Sequence, residues 1–178
     1  MRVLQISSEA TPFAKTGGLA DVAGALPDAL ERAGCDCTLV VPAYREVFEK
    51  NLPIQKTDMQ FSVPVGQRNL EATIYSCSLP DQKHNVFLIG NTHCFDRDTL
   101  YGGAEDYADN AERFIFFSRA ALEVAARQPH AFDIIHCHDW QTSLVPAYQK
   151  LLYQSWPTLP EAPSVPTILN VAFQGMFW

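Results

Sequence analysis

Apolar and polar positions along this chain of 178 residues change rhythm several times. Val3-Leu4-Gln5-Ile6 is a short apolar run of the kind buried in a parallel sheet. Leu19, Val22, Ala23, Leu26 and Leu30 then recur at helical spacing and mark one face of a helix. Gly34 is a stop signal for that helix. Cys35-Asp36-Cys37-Thr38-Leu39-Val40-Val41-Pro42 reads as a second buried strand. Strand, helix and strand with short links predict a βαβ unit with parallel pairing and a right-handed crossover. Residues 59–65 and 71–77 alternate with a period of two around Gly66-Gln67-Arg68-Asn69, which predicts a hairpin. Residues 85–90 form a further apolar strand, and residues 91–106 a polar loop. From Asp106 to about Arg127 the spacing is helical. Ala111, Phe114, Ile115, Leu122 and Ala125 share one face, and Glu112, Arg113 and Glu123 stand elsewhere. Phe116 and Phe117 widen the stripe, so this helix should pack on two sides. The run from Phe132 is a strand that reaches His138. Asp139 opens a helix through Leu144, Val145, Tyr148, Leu151 and Leu152. A proline-containing loop from Trp156 to Pro166 precedes a last strand over residues 166–172. The fold class these patterns predict is α/β: a parallel sheet with an antiparallel hairpin excursion. No helix follows to cover the last strand, so the domain reads as cut off.

Composition narrows the partners. The net charge of −7 disfavours polyanions, and the few basic residues are scattered, so no nucleic acid is expected. Five cysteines, an odd number without regular spacing, argue against a disulfide framework and for a reduced, cytoplasmic setting. Cys35 and Cys37 point the same way on a strand and read as strand filling. The N-terminus lacks the pattern of a secretory leader, and no apolar run approaches a membrane span.

The densest chemistry lies at Lys15-Thr16-Gly17-Gly18, between the first strand and the first helix. A helix N-terminus presents backbone N–H groups at its positive end, where an anion can sit. Glycines let a ligand approach the backbone, and a lysine adds a charge suited to phosphate. The same residues also fit a plain tight turn with a solvated lysine. Neither G-x-x-x-x-G-K-[ST] nor G-x-G-x-x-G is present. A second group, His136-Cys137-His138-Asp139-Trp140, stands at the carboxyl end of a strand, where open α/β sheets bind ligands. His136 and His138 share a strand face, and Cys137 faces the other way. A metal would need further ligands, and the remaining histidines, at 84, 93 and 130, form no paired motif. His138, Asp139 and Asn170 could bind hydroxyls, with Trp140 as a flat apolar surface. A strand-end cluster that only hydrogen-bonds nearby loops accounts for the same residues.

The longer motifs are specific. Lys15-Thr16-Gly17-Gly18-Leu19-Ala20-Asp21-Val22 resembles the K-T-G-G-L-A-D-V signature of bacterial glycogen synthases and plant starch synthases. Ser8-Glu9-Ala10-Thr11-Pro12-Phe13-Ala14 resembles their S-E-x-x-P-F-A. Leu100-Tyr101-Gly102, residues 109–114 and 116–122, His138-Asp139-Trp140-Gln141-Thr142 and residues 144–148 are similar to further blocks, in the family's order. The resemblance implies a Rossmann-like parallel sheet that is the N-terminal half of a GT-B glycosyltransferase. It implies retaining transfer of glucose from ADP-glucose (UDP-glucose in some relatives) to the non-reducing end of an α-1,4-glucan, with no cofactor and no metal. By motif, Asp21, Asp139 and Asn170 would be catalytic. Lys15, Gly17, Gly18, Tyr101, His138 and Trp140 would bind substrate, with Lys15 and the Gly18 amide at the donor phosphates.

Two departures shape these expectations. Residues 1–178 correspond to the N-terminal domain alone, truncated, without the C-terminal nucleotide-binding domain, so the chain by itself should be inactive. The family's T-x-H-N-x-A-[YF]-Q-G block appears as Thr167-Ile168-Leu169-Asn170-Val171-Ala172-Phe173-Gln174-Gly175, with Leu169 in place of the active-site histidine. A non-catalytic glucan-binding or regulatory paralogue is the alternative this substitution raises.

Overall fold

The computed structural model describes residues 1–80, 82–156, 159 and 162–177. Pro157, Thr158, Pro160 and Glu161 of the expected proline loop, and the final Trp178, lie outside the described residues. The apolar runs become strands β1 (Arg2–Ile6), β2 (Asp36–Pro42), β5 (Asn85–Gly90), β6 (Ile134–His138) and β7 (Ser164–Thr167), all mutually parallel. The alternating segments become β3 (Ile54–Val65) and β4 (Arg68–Cys77), an antiparallel hairpin that extends the sheet beyond β5. The seven strands run in the order β3-β4-β5-β2-β1-β6-β7. The expected α/β sheet with a hairpin excursion is therefore the observed one. The helices are α1 (Gly18–Arg32), α2 (Arg45–Glu49), α3 (Thr92–Phe95), α4 (Asn110–Ala126) and α5 (Val145–Leu152).

From β1 the chain moves to β2 and outward, then returns through α4 to β6 on the other side of β1. Right-handed crossovers in opposite directions place α1 and α4 on opposite faces. The reversal of strand order falls between β1 and β6. Their carboxyl ends diverge there and leave a crevice, the usual ligand position in open sheets.

Local chemistry explains how α1 sits. Its buried face is Leu19, Ala20, Ala23, Gly24 and Pro27, with Val22 exposed, so the face is rotated from the one expected. Small residues won because the helix crosses the backbone of Thr11 closely: a Cβ at Gly24 would lie 2.6 Å from the Thr11 carbonyl oxygen. Pro27 has no N–H, which frees the carbonyl of Ala23 four residues earlier. The buried Gln5 side-chain amide of β1 donates to that carbonyl at 2.7 Å. The helix ends where expected. The N–H groups of Gly34 and Cys35 close on the carbonyls of Glu31 and Leu30, with Gly34 at φ 87°.

Four expectations need correction. Helix α4 starts at Asn110, not Asp106, because the preceding loop is held to it by the Asn110 amide on the Tyr101 carbonyl, 2.7 Å. Arg113 of α4, expected off the apolar face, is wholly buried, stacked against Phe95, Tyr107 and Phe114 and donating to Cys94 O and Asn110 Oδ1. The loop after β5 contains α3, capped by the Asn91 side chain on the Cys94 N–H. The last strand spans Ser164–Thr167 rather than residues 166–172, since its partner β6 ends at His138, opposite Thr167. The five cysteines are unbridged, and among the described residues no helix is long and apolar enough to cross a membrane.

Candidate functional site

The crevice has a volume of about 550 Å³. It is lined by Glu9 and Thr16–Leu19 from the turn after β1, by Tyr101 and Asp106 from the long loop, by Asp139, Trp140 and Gln141 after β6, and by Leu169, Asn170 and Phe173 after β7. Val22 of α1 also lines it, which is where the rotated helix face leaves that side chain. Topology has thus brought together segments that are more than a hundred residues apart.

The first rim is built on a residue the spacing arguments did not single out. Glu9, just past the end of β1, is buried. Its carboxylate accepts the Thr16 N–H (2.5 Å), the Thr16 hydroxyl (2.7 Å), the Gly17 N–H (3.4 Å) and the Tyr101 hydroxyl (2.7 Å). Tyr101 has one proton, and it goes to Glu9, so Ser8 Oγ donates to the Tyr101 oxygen at 2.8 Å. Burial raises the Tyr101 pKa well above its ordinary value and keeps the phenol protonated. Two N–H groups ahead of α1 are therefore already taken by an internal anion. The amides of Gly18, Leu19 and Ala20 in the first helical turn have no intrahelical partner, and the N-cap Gly17 brings no side chain to them.

Neither glycine is demanded by the fold. Gly17 is extended, with φ −153° and ψ −162°. A Cβ at Gly17 or at Gly18 would meet nothing within 4 Å. Their bareness opens the backbone to the crevice, which a plain tight turn does not require. Lys15 is exposed, as a solvated lysine would be, and it is not among the lining residues. It donates to both carboxylate oxygens of Asp21, at 2.7 and 2.8 Å, and both side chains are about half exposed. Asp21 too lies outside the lining.

The second rim is strained. Asp139 has φ 55° and ψ −173°, a backbone region that is essentially glycine's own. A 3-10 turn over Trp140–Thr142 follows, so α5 begins at Val145 and not at Asp139 as expected. The Asp139 carboxylate accepts the Leu169 N–H at 2.6 Å and the Asn170 N–H at 3.4 Å, while its own N–H donates to Thr167 O at 2.9 Å. Trp140 packs edge-on against Phe114 and beside Phe177, with Gly175 against its ring, so only part of its surface is free. Gln141 is buried, and its Oε1 has no hydrogen-bond partner among the described residues. Leu169 is 41% exposed and faces the crevice.

His138 does not reach the site. It is still inside β6, one residue before the rim, and its side chain follows the sheet face inward. The ring is fully buried beside that of His136, with centroids 4.2 Å apart, and neither nitrogen has a partner among the described residues. Burial, with His136 alongside, pushes its pKa down to about 3, so it is neutral. Cys137 points the other way and is buried, and burial pushes its thiol up to about 12, which excludes a thiolate nucleophile at neutral pH. Six of the nine site residues expected from sequence line the crevice: Gly17, Gly18, Tyr101, Asp139, Trp140 and Asn170. The lining holds three carboxylates, Glu9, Asp106 and Asp139, and no lysine or arginine.

The sequence pattern of the family described as the starch synthase catalytic domain matches residues 2–178. A glycogen synthase of Thermodesulfovibrio yellowstonii is 38% identical, over 99% of this chain and 38% of that protein. Glycogen synthase 2 of Geobacter metallireducens is 41% identical, over 99% of this chain and 36% of that protein. The catalytic domain of starch synthase IV from Arabidopsis thaliana, solved bound to ADP and acarbose, superposes with a TM-score of 0.85 at 32% identity, over 97% of this chain and 34% of that one. The chain spans little more than a third of the length of these relatives. It belongs to the starch synthase catalytic domain family.

Proposed function

We propose that this chain is the acceptor-side portion of a retaining glucosyltransferase that moves glucose from ADP-glucose to the non-reducing end of an α-1,4-glucan. The observation that carries the reading is the crevice at the sheet's switch point. There the Asp139 carboxylate, the ring of Trp140 and the bare Gly17–Gly18 backbone face one volume. The Arabidopsis relative, bound to ADP and acarbose, supports a nucleotide-sugar donor and a glucan acceptor as partners. In this reading residues 1–178 are the N-terminal Rossmann-like domain of a cytoplasmic enzyme, and a nucleotide-binding domain follows it.

The charge of the site assigns the labour. Glycosyl transfer builds positive charge on the sugar and negative charge on the departing diphosphate. Asp106 and Asp139 provide a field that stabilises the cationic sugar. The same field repels the diphosphate. On this chain its charge is met by the first-turn amides of α1 and by Lys15, once Lys15 leaves Asp21. Further cations must come from the remaining two thirds of the length. Asp139 is held in place by two backbone amides, and Asn170 presents a polar side chain to sugar hydroxyls.

The alternative of a non-catalytic glucan-binding or regulatory paralogue rests on Leu169 and on the small share of its relatives' length that the chain spans, and the synthase names of relatives matching almost the whole chain weigh against it. The test is a protein carrying this chain followed by the additional length its relatives have, assayed for transfer of labelled glucose from ADP-glucose to glycogen. Transfer with retained α-configuration is expected, and the 178-residue chain alone should transfer none. Leu169→His should raise kcat about a hundredfold to a thousandfold, the value of one donor used in a transition state. Maltooligosaccharide binding without transfer, in both the leucine and histidine forms, would establish the non-catalytic reading instead.

A further inference from the structure

A second set of ligand-type side chains converges well away from the crevice. Asp28 and Glu31 stand three residues apart on α1 and so share a face of it. They lie six or more residues beyond Val22, the crevice-lining residue of α1 nearest to them, about 9 Å or more along the helix axis. His84 directly precedes β5, where Asn85 pairs with Thr38 of β2, and α1 packs over β2. The imidazole thus comes from the sheet and the two carboxylates from the helix above it. Nδ1 of His84 is 3.2 Å from Oδ1 of Asp28. One ligand atom from each of the three residues lies within 4.8 Å of the other two. The His84 side chain is 1% exposed, and its Nδ1 makes no hydrogen bond among the described residues. A buried nitrogen left without a bond is costly, and this one lies beside the Asp28 carboxylate.

We propose that Asp28, Glu31 and His84 form a divalent-metal site that takes zinc. One imidazole and two carboxylates suit a transition metal. Carboxylates alone would suit magnesium or calcium. Ligands around tetrahedral zinc, with bonds of about 2.0–2.2 Å, sit roughly 3.5 Å apart, so closure by about 1 Å completes the triad. Both carboxylates are only partly buried, which gives the ion a path in and leaves its fourth position to water.

The place gives the ion a structural role. Pro27 interrupts the hydrogen-bond ladder of α1 just before Asp28, and the carbonyl it frees is turned to Gln5. The half of the helix beyond that break is fastened by the metal to the start of β5. The site is separate from glucosyl transfer and needs no ion in the crevice.

The experiment strips the chain with a chelator, adds back Zn²⁺, and reads bound metal by elemental analysis and stability by thermal unfolding. One zinc per chain and a raised unfolding midpoint are expected. His84→Gln and Glu31→Gln should bind about tenfold more weakly or worse and lose the midpoint shift. Glu31→Gln, on the partly exposed helix face, carries the comparison if His84→Gln does not fold. A midpoint indifferent to Zn²⁺ would leave only the His84–Asp28 contact and overturn the site. Undiminished stoichiometric zinc in both variants would place the ion elsewhere, on the cysteines for example, and overturn it too. A shift with Mg²⁺ equal to that with Zn²⁺ would overturn the choice of metal.

Discussion

The two rims of the crevice are made on opposite plans. After β1, the carboxylate of Glu9 is turned inward and spent on structure: it collects the amides and hydroxyl of the Thr16–Gly17 turn together with Tyr101. The backbone there is relaxed, and the part offered outward is bare main chain. After β6, the carboxylate of Asp139 is turned outward, on a backbone forced to φ 55°. Just below it lies a buried imidazole with no hydrogen bond among the described residues. One rim is stable and passive. The other concentrates strain where a reacting sugar would sit, the pattern expected of a catalytic position.

The comparison breaks most visibly at Glu9. Glu9→Gln keeps the shape but replaces one acceptor oxygen with a donor, and that donor would face the Thr16 and Gly17 amides or the Tyr101 hydroxyl. At least one charge-assisted bond is lost, at about 1.5–3 kcal/mol, and at least one buried donor is left unpaired at about 1–3 kcal/mol more. A drop of roughly 3 kcal/mol or more in urea unfolding is expected. A change under about 0.5 kcal/mol, the range of an ordinary surface substitution, would mean that the first rim does not depend on its carboxylate.

Glu9 also marks how far the sequence could be read. Periodicity located six of the strands and the helices α1 and α4, and met the last strand only at residues 166 and 167, because apolar runs of period two and 3.6 follow directly from burial on one face. It placed the turns at Gly17–Gly18 and His138–Asp139 at strand ends. It did not show that Glu9 would claim the turn's amides, since a hydrogen bond closed over seven residues of loop leaves no periodic trace. Nor does periodicity show the burial of Arg113, which stands off the apolar stripe. The ring faces of Phe95, Tyr107 and Phe114, gathered from three segments, make that burial tolerable. His138 was misplaced by a single residue of register: the rim begins one position later, where the backbone leaves the sheet.

The second rim is tested through pH. The pKa of His138 falls from 6.5 to about 3 on folding. Between those values the unfolded chain binds the extra proton and the folded one does not. The group's full stability is present above pH 6.5, is lost as pH falls, and levels off near pH 3. The slope in that window approaches about 1.4 kcal/mol per pH unit, so lowering the pH from 7 to 5 should cost the chain about 2 kcal/mol at this group. His138→Leu removes the titration and should flatten that part of the profile. His136, whose pKa burial also lowers, contributes in the same direction in both proteins. Parallel losses in wild type and variant, measured by urea unfolding at both pH values, would show that the buried imidazole is not a source of acid sensitivity.

A smaller effect isolates the strain at Asp139. Asp139→Gly and Asp139→Ala both remove the carboxylate and its bonds to the Leu169 and Asn170 amides. They differ chiefly in the cost of φ 55°, which glycine does not bear. The glycine variant should therefore be more stable than the alanine variant by about 1–2 kcal/mol. Equal unfolding midpoints would mean that the second rim is no more strained than the first.

The smallest expected effect on stability sharpens the comparison from the other side. Gly17→Ala asks little of the fold, because residue 17 is extended and its Cβ would meet nothing within 4 Å. The same clearance holds for Gly18→Ala at the first position of α1, where alanine is also the better helix former. Both should leave stability unchanged or raise it by about 0.4–1 kcal/mol, through a less mobile unfolded chain. In the crevice, however, each added methyl stands where a ligand phosphate would approach the first-turn amides. The two readouts should then part company: an unfolding midpoint equal to or above that of wild type, and a clear rise in KM for ADP-glucose in the protein that carries the remaining length. The contrast with Glu9→Gln, which lowers stability first and activity as a consequence, is what separates the outward backbone of this rim from its inward carboxylate. If both alanine variants keep the wild-type KM, the bare backbone at 17 and 18 is not a contact surface, and the donor must approach from the Asp139 side alone.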